Sequence, residues 1–171
     1  FVQEVQFAPN TRSQGSTWDI AFSPDAAQTY LYLADGQNMK VYIILRETME
    51  VLTSFGDGGR QPGLFFAVHS IDTDSQGNIY VGDGHGGQGE NATPETVARI
   101  VKFDRTGRFL QSWGQWGSGP GDLRTPHALD IDSRGRLVVG DRGNNRLQIF
   151  ETDGTYVGEF KQFSRPSGIY I

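Results

Sequence analysis

The chain has 171 residues, among them 23 glycines, 12% aromatic and 20% charged residues, no cysteine, and a formal net charge of −5. That length is enough for one ordinary domain with a real core. The missing cysteines exclude disulfides, thiolate nucleophiles and zinc–thiolate centres; the acidic balance, with no Lys/Arg cluster, excludes a nucleic-acid surface; and no stretch reaches the roughly 18 apolar residues of a membrane span. A soluble protein is expected, with its compartment, secreted or periplasmic included, left open.

In chain order, the opening "FVQEVQF" has no basic region before an apolar core, so it is not a signal peptide and reads as a strand joined midway, over residues 1–8. Alternating apolar runs follow: "WDIAFS" at 18–23, then Leu33-Ala34-Asp35, "KVYIIL" at 40–45 and "EVLTSFG" at 50–56. "RETMEVL", from Arg46, is a mild helical candidate that fits a hairpin turn better. The same order returns with "HSIDTD" at 69–74, Val81-Gly82-Asp83, "RIVKFD" at 99–104 and "FLQSWG" at 109–114. It returns once more with "HALDID" at 127–132, Val139-Gly140-Asp141, "RLQIFE" at 146–151 and "YVGEF" at 156–160, before a final strand-like "RPSGIYI" at 165–171. Period-two alternation identifies each run as a short strand. The turns Ser75-Gln76-Gly77-Asn78, Ser133-Arg134-Gly135-Arg136 and Thr152-Asp153-Gly154-Thr155 each put Gly where a positive φ is expected.

Four-stranded units repeating at this spacing predict an all-β fold, a β-propeller. The whole chain, 1–171, is one propeller segment with full blades at about 16–56, 66–114 and 124–160 and partial strands at both ends. The text "GPGDLRTPHALDIDSRGRLVVGDRGNNRLQIFETDG" resembles an NHL repeat almost position by position: Pro120-Gly121, Pro126-His127, Asp132, Gly135, Val139, Asp141, Asn144, Asn145, Arg146 and Phe150. The second unit departs from it at Val68, before His69, and in a glycine-rich insertion, "GHGGQGENATPETVA", at 84–98. The first unit has Trp18 at the His position and no Asn-x-Arg. The resemblance implies an NHL-type propeller, usually six-bladed. Three blades cannot close a ring, so two readings stand open: a fragment of a longer propeller, or a homodimer in which two chains complete the ring.

In a propeller the first strand of each blade lines the central channel, so His69 and His127, at equivalent positions, converge near its mouth, where they could hold a metal ion. Trp18 and Ser167 occupy that position in the flanking units, so no third histidine for the ring is expected from this chain. "VGDGHGG", "ARIVKFDRTGRFLQSWG" and "PGDLRTPHALDID" with "GDRGNNRLQIF" resemble the propellers of the peptidyl-α-hydroxyglycine α-amidating lyase family. That resemblance implies a channel zinc, or another divalent cation, held largely by His, with a Tyr base and Arg residues gripping the substrate. By position His127 falls on a zinc-ligand His, Arg142 on a substrate-binding Arg, and His85 where the family has its catalytic Tyr. A second family zinc ligand falls at Trp18, which cannot bind metal, and His69 stands where the family has no ligand.

Asp35, Asp83 and Asp141 recur once per unit, which favours architecture, although Asp83 and Asp141 stand beside the mouth with Arg142 and are candidate binding residues. Arg142 is expected to grip a ligand or to pair with Asp83 or another carboxylate; Asn145 and Arg146 are expected to staple the blade. Residues found in one blade only, His85, Arg142 and the 84–98 insertion, are the stronger functional leads. Two functions follow: a scaffold binding a peptide, protein or small ligand at the channel mouth, with no nucleic acid or membrane as partner; or a metal-dependent lyase or hydrolase with His85 and Arg142 as catalytic groups and His69 and His127 as metal ligands.

Overall fold

A computed structural model describes residues 4–171. It contains three four-stranded antiparallel sheets, each in sequence order: β1 (Thr17–Phe22), β2 (Tyr30–Asp35), β3 (Lys40–Leu45) and β4 (Glu50–Phe55); β5 (Val68–Thr73), β6 (Ile79–Asp83), β7 (Arg99–Phe103) and β8 (Phe109–Trp113); β9 (Pro126–Ile131), β10 (Leu137–Asp141), β11 (Arg146–Phe150) and β12 (Tyr156–Phe160). These are three successive blades of a β-propeller. The innermost strands β1, β5 and β9 pack side by side and face the channel.

Burial explains the sequence pattern. The second strand of each blade has a neighbouring blade or apolar side chains on both faces, and β6 and β10 are buried along their whole length. Such strands read as continuous apolar runs. The outermost strands have no buried residue: β4 is exposed almost throughout, while β8 alternates between half-buried and exposed and β12 is half-buried to exposed. One core lies between the first and second blades, around Val41, Phe65, Val81 and Phe103; another lies between the second and third, around Tyr80, Leu123, Val139 and Phe150. Phe65 and Leu123, both fully buried, plug the seams from loops that enter each new blade.

Gly77, Gly135 and Gly154 take φ of 84°, 77° and 89°, as the turn reading requires. "RETMEVL" lies in the β3–β4 hairpin and β4. The two described helices are single 3-10 turns, His85–Gln88 and Arg142–Asn144, each opening just beyond the end of a blade's second strand. No described helix is long and apolar enough to cross a membrane.

The expected terminal strands differ. Of residues 1–8, the first three lie outside the described residues and 4–8 form no strand; residues 165–171 form none either. The last segment nevertheless runs beside β9, where the Ser167 carbonyl meets Nδ1 of His127 and the Ile171 amide donates to Asp130. It follows the path of an innermost strand.

Candidate functional site at the channel mouth

The blade frame fixes the site. Asp83 accepts from the amides of Phe66 and Ala67 and from Nε of Arg99 at 3.0 Å. Asp141 does the same in the third blade, with the amides of Arg124 and Thr125, Nε of Arg146 at 2.9 Å and Nδ2 of Asn144 at 2.7 Å. Both carboxylates are fully buried. This corrects their candidacy as ligand contacts: their oxygens are consumed in tying each second strand to the loop that starts the blade. Arg146, 1% exposed, is the staple expected of it, donating also to the carbonyls of Ser118, Gly119 and Asp122 and to Glu159. The second staple is Asn144; its neighbour Asn145 instead supplies the left-handed residue, φ 53°, that closes the 3-10 turn.

Above this frame the structure gathers what the sequence singled out. His69 and His127 stand at matching points of β5 and β9, with ring centroids 3.7 Å apart. His85 comes from the insertion. The 3-10 turn folds it back over the mouth, where its ring stacks on His69 at 4.6 Å and lies 5.5 Å from His127. One nitrogen from each of the three imidazoles lies within 4.8 Å of the other two. The chain therefore does supply a third histidine, contrary to expectation, from the rim and not from a blade's first strand. Trp18 meets both His69 and His85 edge-on, at 5.3 and 5.4 Å, and walls one side of the cluster.

The insertion is seated by close backbone contact. Gly87 lies so near the Arg124 carbonyl that a Cβ there would collide with it, and the Gly87 carbonyl accepts from Nε1 of Trp116 at 3.2 Å. Arg60 ties down the far end through the Glu95 carbonyl.

Backbone carbonyls orient two of the imidazoles. Nδ1 of His69 faces the His127 carbonyl at 2.9 Å, and Nδ1 of His127 faces that of Ser167 at 3.2 Å. A carbonyl can only accept, so each Nδ1 carries the proton and each Nε2 keeps its lone pair. Arg142 donates from Nη1 to Nε2 of His127 at 2.5 Å. It therefore does not pair with Asp83, which already holds Arg99, and its buried Nε has no partner among the described residues. Burial and then the neighbouring His127 and His85 push His69 down to about 3; burial and then Arg142 push His127 to about 4; burial and Arg142 lower His85 as well. All three rings are neutral at physiological pH, the form in which imidazole binds metals.

This arrangement can hold a transition-metal ion on three neutral nitrogens, accept an anion at Arg142, or move a proton at His85. The donor set fits a borderline ion such as zinc, in the three-histidine pattern that leaves a fourth position open. The carbonyl-held Nδ1 groups are the outer contacts such ligands need. The signal for His85 was its occurrence in one blade only; nothing in the sequence revealed that the insertion would fold inward.

A family model described as NHL repeat matches residues 123–150. NHL repeat-containing protein 3 of Homo sapiens is 32% identical over 126 residues, which is 72% of this chain and 34% of that protein. Peptidyl-glycine alpha-amidating monooxygenase of Mus musculus is 35% identical over 96 residues, covering 53% of this chain and 9% of that one. The chain thus spans about a third or less of the length of these relatives. A nidogen from a nidogen/laminin complex structure shares the fold at TM-score 0.64 and 19% identity, over 87% of this chain and 49% of that one. A hydrazine synthase chain from Kuenenia stuttgartiensis does so at 0.64 and 13%, over 97% and 42%.

Proposed function

Because the chain belongs to the NHL-repeat family of β-propeller proteins, we propose that it is a binding scaffold whose channel mouth takes an anionic peptide or small ligand beside a divalent metal ion held by His69, His85 and His127. The observation that carries this reading is the convergence of three neutral imidazoles, one nitrogen of each within 4.8 Å of the others. When bound, the ion would supply Lewis acidity and one open ligand position. The chain's own residues do the rest. The Ser167 and His127 carbonyls hold two rings with their Nε2 lone pairs turned away. Arg142 donates to the Nε2 of His127, so it would have to leave that nitrogen for an ion to be held there, and its guanidinium would then be free to hold a carboxylate. Trp18 excludes water from one side.

A second reading is a lyase of the amidating kind. It is favoured by the contact between His127 and Arg142, the two positions at which the resemblance puts a zinc ligand and a substrate-gripping Arg. It requires His85 to serve as base in place of the family's Tyr, and a neutral imidazole of lowered pKa can accept a proton at pH 7.

Elemental analysis of protein loaded with zinc and freed of excess tests the first reading. One zinc per chain is expected in the wild type, with loss in His127→Ala and in His85→Ala. Sub-stoichiometric metal in the wild type overturns it. Turnover of an α-hydroxyglycine peptide, lost in Arg142→Ala, would favour the lyase.

A further inference from the structure

At the opposite end of β1 and β5 from the histidines, a cleft of about 720 Å³ opens between the first and second blades, walled by Asp25, Tyr32, Ile43, Gly77, Arg105 and Thr106. The neighbouring seam shows what belongs in that place. There Tyr80 pairs across the sheet with Lys102. The Lys102 ammonium lies over the Tyr80 ring, 5.2 Å from its centre, and donates to the Thr152 carbonyl of the next blade at 3.0 Å. The repeat maps this arrangement onto the first seam position by position. Tyr32 stands three residues before Asp35 as Tyr80 stands before Asp83, and it pairs with Ile43 where Tyr80 pairs with Lys102. Arg105 stands second in the turn Asp104–Arg108 as Thr152 does in Glu151–Thr155, both turns closed by the same pair of backbone bonds. The first seam therefore keeps the aromatic ring and the turn but has a short apolar side chain where the lysine would reach in.

We propose that this cleft binds a primary alkylammonium group from outside the chain, seated over Tyr32 and on the Arg105 carbonyl as Lys102 is seated over Tyr80 and on the carbonyl of Thr152. The chemistry is right for a cation. A tyrosine face attracts an ammonium, and a carbonyl is the acceptor that it uses in the sister seam. Asp25 supplies the counter-charge; hydrogen bonds from the hydroxyls of Ser23 and Thr29 hold its carboxyl ionised, down to about 2. The side chain of Arg105 is exposed and opposes a second cation, which makes binding weak and salt-sensitive. At that position the sister seam has the neutral Thr152. The site is independent of any metal at the mouth and lies at the other end of the channel strands.

The probe is n-butylammonium chloride, titrated against sodium chloride at matched ionic strength, with the amides of Gly77 and Thr106 followed by NMR. Saturable shifts at these amides are expected. Arg105→Thr should tighten binding several-fold, and Ile43→Lys, which rebuilds the internal ammonium, should abolish it. Nα-acetyl-lysine amide against its norleucine analogue distinguishes sources: binding of the lysine compound as tightly as n-butylammonium identifies a protein lysine, and binding of n-butylammonium alone identifies a free amine. The proposal is overturned if n-butylammonium gives no saturable shift beyond sodium, or if folded Ile43→Lys binds as the wild type does. Should Ile43→Lys not fold, unchanged or weaker affinity in Arg105→Thr, an exposed and benign position, overturns it equally.

Discussion

At the residue scale, one arginine and one aspartate show why a repeated residue is architecture. Arg146 is buried, and its guanidinium meets two carboxylates and three carbonyls. Removing it leaves Asp141 as an uncompensated buried charge, which costs about 3–5 kcal/mol. Arg146→Ala is therefore expected to lose that much in urea unfolding, and Arg146→Lys to recover little, because an ammonium cannot span the same fork of acceptors. A loss below about 1 kcal/mol, the range of exposed pairs, would refute the staple. The sequence disclosed part of this role, through the recurrence of Asp83 and Asp141; that Arg99 and Arg146 face them directly across neighbouring strands emerges only from the register, because the insertion sets the first pair 16 residues apart and the second 5. It disclosed less in the first blade, where Asp35 turns to Asn38 and no arginine answers it. The partner of Arg142 was illegible, because an Arg beside an Asp reads as an ion pair until the fold shows that Asp141 is already filled.

At the scale of elements, the blades were legible and the insertion was not. Strands announce themselves by alternation, and Gly-turn spacing sets their ends. The 84–98 segment has neither signal; its course is decided by tertiary contacts, chiefly the seat of Gly87 against Arg124 and the Trp116 bond. That seat is what carries His85 to the mouth. Gly87→Ala should lift the 3-10 turn away from β9 and displace the His85 ring, lowering zinc affinity by about 10-fold or more, the effect seen when the support of a metal ligand is lost. The blades do not depend on this turn, so the melting temperature should move by only a few degrees. Isothermal titration with zinc, paired with a thermal melt, checks both. Equal zinc affinity in Gly87→Ala would show that the turn does not position His85. The same reasoning applies to residues 165–171, whose alternation is real but whose described bonds to β9, from the Ser167 carbonyl to His127 and from the Ile171 amide to Asp130, join backbone to side chain and form no ladder.

At the scale of the whole molecule, the channel carries two opposing sets of titrating groups. At its mouth the three imidazoles have lowered pKa values; the folded state binds fewer protons than the unfolded chain below about 6.5, so their contribution to stability falls as the pH drops through that value. Deeper in, carboxylates bond across the seams: Asp19 accepts from the Ile71 amide, Asp72 from that of Ile131, and Asp130 from that of Ile171. Burial first, and then the charges of Asp130 and Asp19, raise Asp72 to about 6. The folded state there binds the extra proton between the ordinary carboxyl value and about 6, so this group's contribution rises as the pH drops across that window. The two effects oppose each other between about pH 6 and 4. Three imidazoles, one displaced to about 3 and another to about 4, outweigh a single carboxyl displaced to about 6, and the metal-free protein should lose stability on acidification from pH 7 to 4. Asp72→Asn keeps an acceptor for Ile131 while removing the compensating proton. It should therefore be more stable than the wild type at pH 8, where it buries no charge, and should lose stability more steeply as the pH falls. Urea unfolding of the two proteins at pH 8, 6 and 4.5 measures both slopes. Parallel profiles would mean that Asp72 is solvated and that the carboxylates do not sense one another across the channel.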